Sequence, residues 1–377
     1  MKKILVISGV VPQDKSGGSI VLKRHFEWSR NLKFEVVESV SVLKKNLIYR
    51  ILNWLENFRY RSYILAVKPL YQHYCLSINR KFPFDDYSAV LTVANGKACF
   101  IAERVSQVMD IPLITVFHDW HFVSSGANRN LSWFWDKGFK RLYRNSQLAF
   151  CVSEQMKEKL GSHPSATVLY PISSRSLPGK IQLPRPHAPI NVFYAGHCMG
   201  AYKNMLQRVI QSVGKNPKFN FYISGMESEA FGDVAAQCTN IYVNGFIDES
   251  ELNDYFNKAD VLLVLIDFNP AKRIHFSTHF PSKIVDYCQR ERLIVVWGPS
   301  YSTAVQWAKE TGAALFYEKE DIEGLLSLLH SIHLREDLRQ VLSNAKRISE
   351  TVFNPNNIQN LFEEEVMKVI KGKNGER

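Results

Sequence analysis

Apolar residues in this chain come in short runs separated by amphipathic stretches. Residues 3–8 form a β-branched run, and Gly17-Gly18-Ser19 then opens a helical pattern through Ile20, Leu22, Phe26 and Trp28. Strand patterns recur at 34–42, 89–93, 112–117 and 148–152, with a helical stretch near 98–109. Strands alternating with helices predict βαβ units and a parallel sheet. Residues 173–190 are rich in Ser and Pro and read as a linker. The alternation then restarts, with strands expected at 191–195, 220–224, 241–243, 261–266, 293–297 and 313–316. Beyond Glu320 the pattern is mostly helical. Two open α/β sheets predict ligand binding at the carboxyl ends of their strands.

A length of 377 residues fits two domains of ordinary size. No run approaches the roughly 18–20 apolar residues needed to cross a bilayer. The start, Met1-Lys2-Lys3-Ile4-Leu5-Val6-Ile7-Ser8-Gly9, has too short an apolar run for a signal peptide and reads as a first strand. Six scattered cysteines with no C-x-x-C pair predict buried, reduced thiols in a cytoplasmic protein. Charge is unevenly placed: residues 1–188 carry a net +14 and residues 189–377 a net −3. That asymmetry predicts an anionic partner for the first half, such as a membrane surface, a phosphorylated lipid or nucleic acid.

Several segments carry candidate chemistry. His279-Phe280-Pro281-Ser282-Lys283-Ile284-Val285-Asp286-Tyr287 reads as a Pro-started helix, with a lysine for phosphate and a carboxylate for ribose hydroxyls three residues apart. An ordinary i,i+3 salt bridge is the plain alternative. Ser16-Gly17-Gly18-Ser19 lies between the first strand and a helix, where backbone N–H groups suit phosphate; a simple turn would look the same. Phe117-His118-Asp119-Trp120-His121 ends a strand, and a histidine there can orient or deprotonate a hydroxyl. Metal ligation by His118 and His121 lacks further ligands, so no metal is expected. Ala195-Gly196-His197 ends the first strand of the second half, with Lys203 and Asn204 at a helix start. Residues 44–81 are rich in aromatic and basic side chains, with Leu47, Ile51, Leu55 and Phe58 at helical spacing. This suits an anionic membrane interface, or equally a helix packed on a sheet. No known nucleic-acid-binding motif is present, which ranks that partner last.

These segments together resemble the GT-B glycosyltransferases, most closely the family 4 type (glycosyl transferases group 1). The resemblance spans nearly the whole chain and is clearest over 190–350. That family's P-x-K-x-x-E-Y segment is similar to Pro281-Ser282-Lys283-Ile284-Val285-Asp286-Tyr287, which implies Asp286 as the ribose contact. Gly17-Gly18 resembles its glycine loop, Ser153-Glu154 its S-E pair, and Gly196-His197 with Lys203 its phosphate-holding G-R…K element. Val243-Asn244-Gly245-Phe246 resembles its V-x-F-x-G region loosely. Two departures stand out: Thr278 occupies the place of the first acid of E-x7-E, and His197 that of the arginine.

The resemblance implies an α/β chain with two Rossmann-like domains facing each other across a central cleft. Residues 1–188 would form the acceptor domain and 189–352 the nucleotide-sugar domain, with a C-terminal helix, about 353–377, packed back on the first. The expected activity moves a sugar from a nucleotide diphosphate sugar to a glycan or lipid-linked acceptor in bacterial surface polysaccharide assembly, without metal or other cofactor and with retention. Gly17, Gly18, Gly196, His197, Lys203, Ser282, Lys283 and Asp286 would hold the donor; His118 and Asp119 would serve catalysis. The expected location is the cytoplasm, peripheral on the inner face of a membrane. The rivals are a sugar-nucleotide epimerase or hydrolase and a non-catalytic binder of a glycan or a partner enzyme.

Overall fold

In the computed structural model the described residues are 1–10, 12, 17–38, 83, 86–96, 98–120, 132–173, 183, 189–200, 202–225 and 227–375. The basic aromatic segment 44–81, Ser16, His121 and most of the Ser/Pro-rich stretch lie outside them. The chain forms two compact units, Met1–Leu169 with Ile358–Arg377, and Tyr170–Asn357.

Unit 1 contains β1 (Lys2–Ser8), α1 (Gly17–Trp28), β2 (Leu32–Glu38), β3 (Ala89–Val93), α2 (Ala98–Met109), β4 (Leu113–Phe117), α3 (Ser132–Asn145), β5 (Leu148–Cys151), α4 (Glu154–Leu160) and β6 (Ala166–Val168). The strands form one parallel sheet in the order β2-β1-β3-β4-β5-β6. Every residue of β3, β4 and β5 is buried, the mark of a sheet covered on both faces. The apolar N-terminus is indeed strand β1, paired along its length with β2. The three-residue β6 escapes a pattern reading because its residues are only half-buried. Ser153 caps α4, its hydroxyl accepting from the Met156 N–H. That is a helix-start role.

Unit 2 repeats the plan with β7 (Ile190–Ala195), α5 (Lys203–Val213), β8 (Phe219–Ser224), β9 (Ile241–Val243), α6 (Glu249–Lys258), β10 (Val261–Leu265), α7 (Ser282–Cys288), β11 (Leu293–Trp297), α8 (Thr303–Thr311), β12 (Leu315–Tyr317), α9 (Ile322–His330) and α10 (Leu338–Glu350). Its parallel sheet runs β12-β11-β10-β7-β8-β9. Alternate residues of β8 are buried beside fully buried β10 and β11. The core gathers Tyr194, Phe219, Phe221, Leu263, Val295 and Trp297 with apolar faces of α5 and α9. The helix α11 (Pro355–Gly375) follows. Among the described residues no helix is long and apolar enough to cross a membrane, and Cys99, Cys151, Cys198, Cys238 and Cys288 are free thiols.

The return of the chain to unit 1 is fixed by a buried polar network. The Glu363 carboxylate accepts from Ser29 Oγ (2.8 Å), the Arg30 N–H (2.6 Å) and Asn31 Nδ2 (2.7 Å), capping the α1–β2 turn. Burial alone would raise its carboxyl; the hydrogen bonds from Arg30, Ser29, Asn31 and Gln359 outweigh burial and hold it below its ordinary range. Gln359 gives its amide N–H₂ to Glu363 and so turns its carbonyl to His25 Nδ1, 3.1 Å away. The carboxylate only accepts, so the network assigns the proton of His25 to Nδ1. Phe362 packs beside the His25 ring at 4.9 Å and on Phe150 at 5.2 Å. Burial drives the His25 imidazole down to about 4, against the raising effect of Gln359 and with a small lowering from His118.

A histidine depressed in the folded state leaves folding stability intact above its unfolded value near 6.5, and stability falls as pH drops toward 4. His25 should therefore account for about 3 kcal/mol of the acid-limb loss between pH 6.5 and 4. Urea unfolding across that range should show a clearly flatter limb for His25→Leu than for the parent; parallel curves would exclude the assignment.

Candidate functional site

In unit 1 the chain order runs from β1 outward to β2 and then back past β1 to β3, so β1 and β3 flank a topological switch point. A cavity of about 180 Å³ opens there, lined by Val10, Gly18, Val93, Ala94, Asn95, His118 and Asp119. His118 and Asp119 follow the end of β4, while Gly18 is the second residue of α1. A side chain at Gly18 would stand 3.9 Å from His118 Nδ1, so the helix start and the histidine share one wall. Trp120 behind them is buried, and its indole N–H donates to Asp136 at 2.7 Å. The structure thus brings Gly18, His118 and Asp119 together at an α-helix N-terminus, a place suited to anionic or hydroxyl-bearing groups. Gly17 is the preceding residue, the first of α1.

In unit 2 the switch point lies between β7 and β10. Three strands there end in glycines with positive φ: Gly196 after β7 (143°), Gly225 after β8 (133°) and Gly245 beyond β9 (67°). They touch one another. The Gly225 N–H donates to the Gly245 carbonyl at 2.7 Å. A Cβ on Gly225 would sit 2.0 Å from the Gly196 carbonyl oxygen. The result is a floor of three glycine turns packed closely against one another at the carboxyl ends of the strands, an approach that only glycine permits.

Lys283 closes one end of this floor. Its Nζ lies 2.9 Å from where a Gly196 Cβ would be. That nitrogen is buried and has no hydrogen-bond partner. It stands 4.0 Å from the centre of the Tyr194 ring and 5.5 Å from that of Tyr202, a cation–π setting that offsets part of its desolvation. Burial pulls the amine down to about 7, with Cys198 raising it slightly. Tyr287, one turn further along α7, accepts from the Ala195 N–H at 3.1 Å and so locks α7 to the end of β7. Tyr194 donates to the His197 carbonyl at 2.7 Å and closes the loop around Gly196.

The remaining donor-site candidates fall as follows. Ser282 is the first residue of α7, with Pro281 as its N-cap, and Asp286 lies on the same helix three residues after Lys283. Lys203 is the first residue of α5, directly after Tyr202. His197 is half-exposed and its Nδ1 approaches Glu227 at 3.7 Å rather than Lys283. Thr278, at the place of the missing acid, is buried, and its hydroxyl donates to the Ile274 carbonyl at 2.8 Å. It closes the one-turn helix Arg273–Phe276. Sequence reading missed Tyr194, Tyr202 and Gly225, and reached Gly245 only through a loose resemblance. A glycine directly after a predicted strand was the available signal for Gly225; the tyrosines look like ordinary core residues until the lysine is placed against them.

The chain matches no family model, and no curated protein matches it in sequence. Solved structures do match in fold. Anabaena HepE, in complex with UDP and glucose, superposes with a TM-score of 0.63 at 12% identity over 97% of this chain and 99% of that one. A glycosyltransferase from Rickettsia africae gives 0.65 at 13% identity over 98% and 99%. A UDP-forming α,α-trehalose-phosphate synthase from Burkholderia vietnamiensis gives 0.59 at 10% identity over 99% and 98%. Two six-stranded parallel α/β units with these likenesses define the GT-B glycosyltransferase fold.

A lysine buried without a partner costs the empty protein stability. Its folded-state value lies below its unfolded one, so that cost is greatest below pH 7 and is relieved as pH rises toward 10.5. Lys283→Met should therefore raise the stability of the ligand-free chain at pH 6–7, by about 2 kcal/mol. The gain should fade as pH climbs from 7 toward 9. Thermal melts across that range will show it; a destabilised variant at every pH would refute the burial.

Proposed function

We propose that the chain is a glycosyltransferase of the family 4 type, moving a sugar from a nucleotide diphosphate sugar to a hydroxyl on a glycan or lipid-linked acceptor. One observation carries the reading: the buried Lys283 ammonium, with no hydrogen-bond partner among the described residues, packed over Gly196 at the switch point of unit 2. A cation there lacks only an anion. The departing diphosphate supplies two phosphate groups, and charge-assisted hydrogen bonds in a dry site are strong. Lys203 at the start of α5 and Ser282 at the start of α7 add donors for the phosphates. Asp286 is the ribose acceptor. In unit 1, His118 takes or orients the acceptor hydroxyl, Asp119 steadies it, and the Gly17-Gly18 helix start offers backbone N–H groups. Charge stabilisation by fixed cations and backbone dipoles needs no bound metal, and retention of configuration follows the family type.

The basic half is the acceptor side. On α3 the side chains of Lys137, Lys140 and Arg144 are exposed beside Arg141, which is paired with Glu103 at 2.9 Å; the three form a cationic row suited to phosphorylated lipid or an anionic membrane. A bacterial surface polysaccharide built on a lipid carrier is the acceptor class that fits this charge. Thr278 favours a second reading, a non-catalytic GT-B binder, because no carboxylate stands at its position. Turnover of any sugar nucleotide by the purified chain separates the two.

The direct test is calorimetry with a nucleoside diphosphate. Bound phosphate raises the Lys283 amine from about 7, so binding should take up close to one proton between pH 7.5 and 8.5. Affinity should fall as pH rises through that window. Titrations in buffers of different ionisation enthalpy read the proton directly. Lys283→Met should abolish the uptake and weaken binding at least tenfold, about 1.4 kcal/mol or more. Unchanged affinity in the variant would remove Lys283 from the donor site.

A further inference from the structure

Two histidines of unit 2 take no part in the reading above. His275 and His279 lie in the one-turn helix after β10 and its continuation, His275-Phe276-Ser277-Thr278-His279. The His279 N–H donates to the His275 carbonyl at 2.8 Å, so the helical path carries on past Phe276. That path puts two side chains four residues apart on one face. Their rings lie within 11° of parallel, with centres 5.0 Å apart. Each offers a ring nitrogen, and the two nitrogens lie within 4.8 Å of one another. A tetrahedral ion about 2.0–2.1 Å from each of two imidazole nitrogens holds them roughly 3.3 Å apart, so a modest rotation of the rings closes the pair on it.

The backbone beneath is fixed. Phe276, Thr278 and Phe280 are buried on the other side of the turn. The Thr278 hydroxyl donates to the Ile274 carbonyl at 2.8 Å, and the Thr303 hydroxyl donates to the His279 carbonyl. Phe280 packs on Tyr170 and Trp307, with ring centres 5.2 and 6.1 Å away. Two half-buried rings on a fixed turn have little freedom left to lose when an ion binds.

We infer that His275 and His279 form a binding site for a transition-metal cation of the Zn²⁺, Ni²⁺ and Cu²⁺ class, with water at its remaining positions. The i,i+4 spacing is the one by which a helix presents two histidines to a single zinc. Imidazole suits these three ions, whereas the hard cations Mg²⁺ and Ca²⁺ take oxygen ligands. The metal-free expectation drawn from His118 and His121 does not reach this pair, which lies on another element. A second pair, His330 and His333, sets its rings at 73° with centres 5.9 Å apart, and the Lys218 amine stands 3.2 Å from His330 Nε2. An ammonium there opposes a cation, so that pair serves as the control.

The test titrates the full chain with Cu²⁺, Ni²⁺, Zn²⁺ and Mg²⁺ in a buffer that does not bind metal. One equivalent of Cu²⁺ should bind most tightly, Ni²⁺ and Zn²⁺ at least tenfold more weakly, and Mg²⁺ not at all. His275→Gln and His279→Gln should each weaken Cu²⁺ and Zn²⁺ at least tenfold, while His330→Gln should change neither by more than twofold. Labelling of the parent with diethyl pyrocarbonate, mapped by peptide, reads the site without relying on a variant that folds. Zn²⁺ should protect His275 and His279 at least fivefold and leave His330 and His333 labelled. Unchanged labelling of His275 and His279, affinity retained in both of their variants, or Mg²⁺ binding as tightly as Zn²⁺ overturns the site.

Discussion

Unit 2 is organised around one unfavourable contact: an ammonium nitrogen held out of water with nothing to accept its protons. Lys283 reaches that position because Gly196 has no side chain, because Tyr287 ties α7 to the end of β7, and because Tyr194 and Tyr202 give the charge two ring faces. An isolated buried charge costs several kcal/mol, and ring faces return only part of that. Such a cost is one that the proposed diphosphate would relieve, and on that reading stability and function are opposed here.

Unit 1 solves a different problem with a different device. Its cavity is small, and the groups beside it, His118 and Asp119, need a fixed frame rather than a counter-charge. That frame reaches back through α1. Gly18 meets His118 at one end of the helix, and His25, two turns on, is held by Gln359 and Glu363 from α11. The last twenty residues of the chain are therefore part of the packing that sets α1. Truncating them would expose the Arg30 N–H and the Asn31 amide now satisfied by Glu363. The helix that starts at the cavity would lose its anchor.

How much of this was legible in the residues depends on what each feature rests on. Strand runs such as 261–266 and 293–297 announce themselves because a sheet buried on both faces must be apolar throughout. Lys283 is legible as a candidate for phosphate, with an ordinary i,i+3 salt bridge to Asp286 equally open; its burial against Gly196, Tyr194 and Tyr202 is not. His197 was legible only as a position. Its approach to Glu227 requires the left-handed turn at Glu227, φ 64°, which no local pattern announces. Gly196 and Gly245 are legible one by one, but the contact among the three glycines is hidden for a related reason. Gly196, Gly225 and Gly245 are far apart in sequence and meet only because β7, β8 and β9 are neighbours in one sheet. The C-terminal network was equally hidden, as it joins residues more than 330 positions apart.

The charges around the floor have a consequence of their own. Lys283 and Lys203 stand on the side of α7 and α5, while Glu229 and Glu227 stand on the turn after β8. A uniformly positive rim would hold a diphosphate in either direction. A rim with cations at one end and carboxylates at the other does not. Coulomb repulsion falls with distance, so a phosphate moved from beside Lys283 to beside Glu229 exchanges its strongest attraction for its strongest repulsion. On the proposed donor reading, the phosphate charge would fall to the lysines rather than to His197, whose neighbour is the Glu227 carboxylate.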